Sequence, residues 1–130
     1  MKTILVVGGS KGIGAAIANQ LKSTHHVVSF SRGANDIEGI THHSIDVLQD
    51  EFPDIENLDG LVYCPGSINL KSLSRLKIED FQTDFNINVI GAIRVIKHYE
   101  KQLIQTNGSV VLFSTVATHL GMPFHSSIAA

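Results

Sequence analysis

A chain of 130 residues, 43% hydrophobic and 17% charged, can bury one core and no second one. Its formal net charge of −2 offers no basic stripe to a nucleic-acid backbone, which excludes that partner class, and no apolar run nears the roughly 18–20 residues that span a bilayer. The single cysteine, Cys64, cannot form an internal disulfide, a usage that fits a reducing cytoplasm. Seven histidines include the adjacent pairs His25-His26 and His42-His43, which lack the helical spacing of a metal site, so no metal is expected.

In chain order, Thr3–Val7 is a short, wholly apolar run, as expected of a strand buried on both faces. Ile13, Ile17 and Leu21 follow at helical spacing and predict a helix over 12–24. Strands are predicted at 27–31, 41–45 and 58–64. A long helical pattern then runs through Ile78, Phe81, Phe85, Val89, Ala92, Ile96, Tyr99 and Leu103, and stops at Asn107-Gly108. Residues 109–114 (SVVLFS) predict a fifth strand, which reads as central because it carries no charge, proline or bulge signal. Ser126-Ser127 ahead of Ile128 reads as the start of another helix, with a serine at its N-cap. This alternation predicts an α/β fold, a doubly wound parallel sheet of the Rossmann type in three layers, breaking off after its fifth strand. Residues 1–130 are then the N-terminal portion of a single domain. The apolar fifth strand, and Ile87, Ile90 and Ile93 off the main helical stripe, call for cover by more chain or by a partner subunit.

Between the first strand and the first helix stands Val6-Val7-Gly8-Gly9-Ser10-Lys11-Gly12-Ile13-Gly14. Glycines here permit positive φ and a close backbone approach, and the helix start offers unpaired N–H groups, so the loop is expected to bind phosphate.

Gly8 through Gly14 resembles the T-G-x-x-x-G-I-G signature of the short-chain dehydrogenase/reductase family, with Val7 in place of the threonine. The resemblance continues in register. Asp46-Val47 looks like the pair after the third strand that contacts adenine. Asp59 to Gly66, including Cys64 and Pro65, resembles an altered D-x-L-V-N-N-A-G, with Tyr63 at its first Asn. Asn88-Val89-Ile90-Gly91 is similar to the N-x-x-G of the long interface helix, and GSVVLFST to the strand carrying the catalytic Ser. This implies a domain of about 230–250 residues when whole, and a homo-oligomer pairing through the 78–105 helix.

An acid at the end of the second strand would select NAD by binding the ribose 2′-OH. Here Ser31-Arg32-Gly33 stands instead, Asp36 lies four residues past Arg32, and Lys11 precedes Gly12. Arg32, Ser31 and Lys11 suit a 2′-phosphate, so NADP(H) is the expected cofactor, held by residues 8–14, Ser31, Arg32, Asp46, Val47, Cys64, Pro65, Gly66 and Asn88.

The resemblance implies hydride transfer between the nicotinamide and a carbonyl or alcohol carbon, using Asn, Ser, Tyr and Lys. Asn88 fills the first position. Thr115 falls on the second, with Ser114 beside it. Family spacing puts the tyrosine at Ile128, which cannot move a proton, and the lysine at position 132. His125 is the nearest titratable substitute. Three readings follow: an oxidoreductase with altered catalytic residues, a non-catalytic NADP(H)-binding sensor or scaffold, or a related domain for another nucleotide or a methyl donor.

Overall fold

The computed structural model describes residues 1–130. Five strands, β1 (Thr3–Val7), β2 (His26–Ser31), β3 (Thr41–Ser44), β4 (Leu58–Tyr63) and β5 (Ser109–Leu112), form one sheet in the order β3-β2-β1-β4-β5, with every pair parallel. The helices are α1 (Gly12–Leu21), α2 (Ile78–Phe85), α3 (Gly91–Thr106) and a single turn, α4 (Ser126–Ala129). None is long and apolar enough to cross a membrane.

From Ile4 to Val7 β1 is apolar, and Leu5, Val6 and Val7 are buried because both faces of the strand are covered there. Leu5 and Val7 join Phe30, Leu61, Tyr63, Val95 and Tyr99 in the larger core under α3. Val6 points the other way, to Ala18 of α1 and Val27. Burying a side chain of this size contributes about 1.5–3 kcal/mol, so the central strand anchors both layers.

The two connections that flank β3 cover the sheet without helices. No helix links β2 to β3 or β3 to β4. Instead Ile37 and Ile40 of the first connection pack into the α1 layer, and Ile45, Val47 and Ile55 of the second enter the α3 core. Asn35 fastens the first connection down, its Nδ2 donating to Gly9 O at 3.2 Å and to Ser29 Oγ at 3.1 Å. Tyr99 fastens the second by donating to Pro53 O at 2.6 Å.

The helix expected over 78–105 runs without a gap from Ile78 to Thr106, with a π turn inside it. Residues Asn86–Ile90 form this π turn between α2 and α3. Asp84 is buried before the turn, and Gly91, Ala92, Val95, Tyr99 and Leu103 after it. Ile78, Phe85 and Val89, on the predicted stripe, are exposed. α3 stops where expected, with Asn107 itself in the left-handed region at φ 53° and ψ 44°.

Within residues 1–130 β5 lies at the edge of the sheet. Val110, Val111 and Leu112 are all exposed, so both faces of the strand are open. At α4 the cap position belongs to His125, not to a serine, and no side chain caps the turn. Ser126 is its first helical residue.

Candidate functional site

The glycine turn is built by contacts that exclude a side chain. Gly8 lies at φ +77° and donates to Phe30 O at 2.7 Å. A Cβ on Gly14 would stand 2.0 Å from the Gly8 carbonyl oxygen, so α1 packs directly on the turn. Lys11 precedes α1 in an extended conformation, and no side chain caps the first-turn amides. They are open to an anion, and the positive end of the helix dipole favours one. Ile13 lies beside them, 62% exposed, and a surface groove next to the turn is lined by Ser10, Lys11, Asn35 and Asp36.

Past the end of β2, three donors converge on the Gly33 carbonyl: Ser31 Oγ at 3.1 Å, His42 Nε2 at 2.8 Å and Ser44 Oγ at 3.4 Å. Ser31 therefore spends its proton on its own turn, and a phosphate would have to displace that bond. Arg32 and Lys11 are exposed, and the chain's one salt bridge is Lys71–Asp80, 3.2 Å. After β3, Asp46 Oδ1 accepts from Leu48 N at 2.9 Å, and Asp50 Oδ2 from Asp46 N at 2.7 Å. Arg94 of α3 holds this loop by donating to Val47 O and, at 3.3 Å, to Asp50 O, with its guanidinium over the Phe52 ring at 5.4 Å. Sequence reasoning missed Arg94, because only the fold brings it to a loop 47 residues away.

At the C-terminal ends of β4 and β5 lies a cavity of about 600 Å³. Cys64, Pro65, Gly66, Asn88, Ser114, Thr115 and Ile128 all line it. His125 does not. Its Nδ1 is tied to Pro123 O at 2.6 Å, so the structure does not bring it to the other candidates. Thr115 Oγ1 accepts from Ala117 N at 3.3 Å, leaving its proton free to donate.

Asn88 sits in the π turn, and Ser67 holds its amide at both ends. Ser67 N donates to Asn88 Oδ1 and Asn88 Nδ2 donates to Ser67 O, both at 2.9 Å. Tyr63 supports the same turn from the sheet by donating to Ile87 O at 2.5 Å. Burial, and then the nearby Asp46 carboxylate, push the Tyr63 phenol up to about 12. Burial likewise pushes the Cys64 thiol up.

Residues 38–130 match the family model described as enoyl-(acyl carrier protein) reductase. The chain belongs to the short-chain dehydrogenase/reductase family. It is 31% identical to hydroxynaphthalene reductase arp2 of Aspergillus fumigatus, over 98% of this chain and 55% of that protein. To carbonyl reductase family member 4 of Xenopus laevis it is also 31% identical, over 92% of this chain and 58% of that one. The chain thus spans about half the length of the curated relatives it matches. Among solved structures, that of ElxO with NADP bound superposes with a TM-score of 0.82 at 24% identity, covering 98% of this chain and 61% of the other. The short-chain dehydrogenase/reductase architecture therefore accounts for the sheet order, the glycine turn and the position of the cavity.

Proposed function

We propose that this chain forms the cofactor-binding part of an NADP(H)-dependent oxidoreductase acting on a carbonyl or alcohol. The observation that carries the reading is the convergence of Asn88, Ser114 and Thr115 on one cavity at the carboxyl ends of β4 and β5. Gly8, Gly9, Ser10, Gly12, Ile13 and Gly14 would hold the pyrophosphate. Asp46 and Val47 would flank the adenine, while Cys64, Pro65, Gly66 and Asn88 line the way to the nicotinamide. Preference for the 2′-phosphate rests on Arg32 and Lys11, on Ser31, and on the absence of an acid at the end of β2. ElxO, described with NADP bound, shares the fold.

When bound, the nicotinamide supplies or accepts the hydride exchanged with the substrate's carbonyl carbon, while a proton is exchanged at the oxygen. Thr115 donates a hydrogen bond from its free hydroxyl to that oxygen and orients it, with Ser114 beside it. Asn88, fixed by Ser67, presents the polar edge of the cavity. A second subunit would pair through the 78–105 segment, as the resemblance implies.

A second reading is favoured by Ile128, which lines the cavity where the resemblance implies an acid/base tyrosine. In that case the protein binds NADP(H) without turning it over. Two measurements separate these outcomes. Fluorescence titration should show NADPH bound at least tenfold more tightly than NADH, and equal affinities would refute the cofactor assignment. Steady NADPH oxidation with an aldehyde and ketone panel supports the oxidoreductase, whereas binding without oxidation establishes the sensor or scaffold.

A further inference from the structure

One polar group beside Asn88 belongs to no motif and takes no part in the reaction above. Asp84 lies in the last turn of α2, four residues before Asn88, and is 0% exposed. Among salt bridges the chain has only Lys71–Asp80, so no cation pairs with Asp84. Its carboxylate instead accepts from three neutral donors: Ser67 Oγ at 2.6 Å, Asn69 N at 3.2 Å and Asn69 Nδ2 at 3.1 Å. Burial raises its carboxyl pKa, but the Ser67 and Asn69 donors, with the Ser127 hydroxyl nearby, outweigh that and hold the group below its ordinary value. A buried charge is tolerable only when its donors are fixed in place. The 67–69 segment must therefore adopt the one shape that brings three donors to one point.

That shape has consequences on both sides. Ser67 gives its hydroxyl to Asp84 and both its backbone groups to Asn88. Turning the Asn88 amide over would set donor against donor and acceptor against acceptor, so Ser67 dictates its orientation. Asn69 gives its amide groups to Asp84, and its carbonyl accepts from Ser127 Oγ at 3.3 Å. Ser127 is buried and adjoins Ile128 on the cavity wall.

We propose that Asp84 is a positioning residue of the site: through Ser67 it sets the orientation of the Asn88 amide, and through Asn69 it seats the turn that carries Ile128. The inference rests on reading Asn88 as part of the reacting end. Asp84→Asn keeps the size of the side chain and removes its charge and one acceptor. The measurement is solvent exchange of the Asn88 side-chain amide by NMR in the intact protein, assigned by its disappearance in Asn88→Asp. The Asn35 amide, bonded to Gly9 and Ser29, serves as the remote control.

Asp84→Asn should accelerate Asn88 exchange at least tenfold and leave Asn35 within twofold, a split that general loosening of the fold would not produce. Ser67→Ala, which removes one of the three donors, should give a smaller change of the same kind. Should Asp84→Asn fail to fold, Ser67→Ala carries the test alone. Asn88 exchange that is unchanged in a folded variant, or that rises together with Asn35, overturns the proposal. NADPH titration of the wild type is a separate arm, so failure to bind cofactor would remove the proposed function without touching the positioning result.

Discussion

Gly91 and Tyr63 should behave as one unit. A methyl group placed on Gly91 would meet Tyr63 Oη at 2.2 Å and Val47 Cγ2 at 3.1 Å. The first contact is about 1 Å too close for van der Waals separation. Tyr63 cannot swing aside freely, since it is 4% exposed and its hydroxyl bonds Ile87 O. Overpacking of this kind costs about 1–3 kcal/mol, and loss of the hydrogen bond adds about 1 kcal/mol. Against this, alanine in a helix gains about 1 kcal/mol over glycine. Gly91→Ala should therefore destabilise the protein by about 1–3 kcal/mol. Tyr63→Phe alone should cost about 1 kcal/mol, the net worth of the bond. In the double variant the nearest Tyr63 atom left, Cζ, stands 3.3 Å from the new methyl, a tight but tolerable contact. The double variant should then lie within about 1 kcal/mol of Tyr63→Phe, giving a favourable coupling of about 1–3 kcal/mol. Urea unfolding followed by circular dichroism measures all four corners, provided the m value stays constant. Additivity to within about 0.5 kcal/mol would refute the steric account.

Arg32→Ala should weaken NADPH binding by about 10- to 100-fold, the worth of a charge-assisted hydrogen bond, and leave NADH within twofold; an equal loss for both nucleotides would show that Arg32 does not read the 2′-phosphate. Gly14→Ala sets a Cβ 2.0 Å from a backbone oxygen, which no rotamer relieves, and should abolish nucleotide binding with a loss of about 3 kcal/mol or more in stability. Gly12→Ala meets nothing within 4 Å and carries only the strain of φ +54°, about 1–2 kcal/mol, so equal costs at the two positions would contradict the packing of α1 on the turn. Asp84 is held below its ordinary carboxyl pKa, so its stabilising contribution is complete above about pH 4 and fades as pH falls further. The gap in stability between wild type and Asp84→Asn should narrow below about pH 4, and a pH-independent gap would place the effect elsewhere.

What the sequence made legible was whatever depends on local rules. The apolar run of β1, the glycine turn, the Asn107-Gly108 stop and the parallel alternation all follow from burial period and backbone freedom. The π turn at Asn86–Ile90 was invisible because its cause lies across the fold: Tyr63 bonds one of its carbonyls, and Ser67 holds Asn88. The stripe residues Ile78, Phe85 and Val89 are exposed before and within that turn. Asp84 was missed for the opposite reason. A carboxylate near the end of an amphipathic helix looks like solvated surface until the 67–69 segment is seen folded over it. The open faces of β5, at Val110, Val111 and Leu112, are those for which the uncharged VVLF run calls for cover by more chain or a partner subunit.

The chemistry of the cavity turns on where its proton comes from. Ile128 supplies none. Tyr63 lines the cavity, but its phenol is pushed up to about 12 and its proton is committed to Ile87 O. The Cys64 thiol is also pushed up, away from neutrality. Asp84 is held down as a carboxylate behind Ser67, and His125 stands outside the lining. Thr115 and Ser114 can orient a carbonyl oxygen but are poor acids near neutral pH. A reductase running on these groups alone must draw its proton from water, because hydride transfer leaves an alkoxide that no lining residue can neutralise. Its rate should then rise with the concentration of a small buffer acid at fixed pH, as external general-acid catalysis requires. A rate independent of buffer would instead require a titratable group delivered to the cavity from outside its present lining.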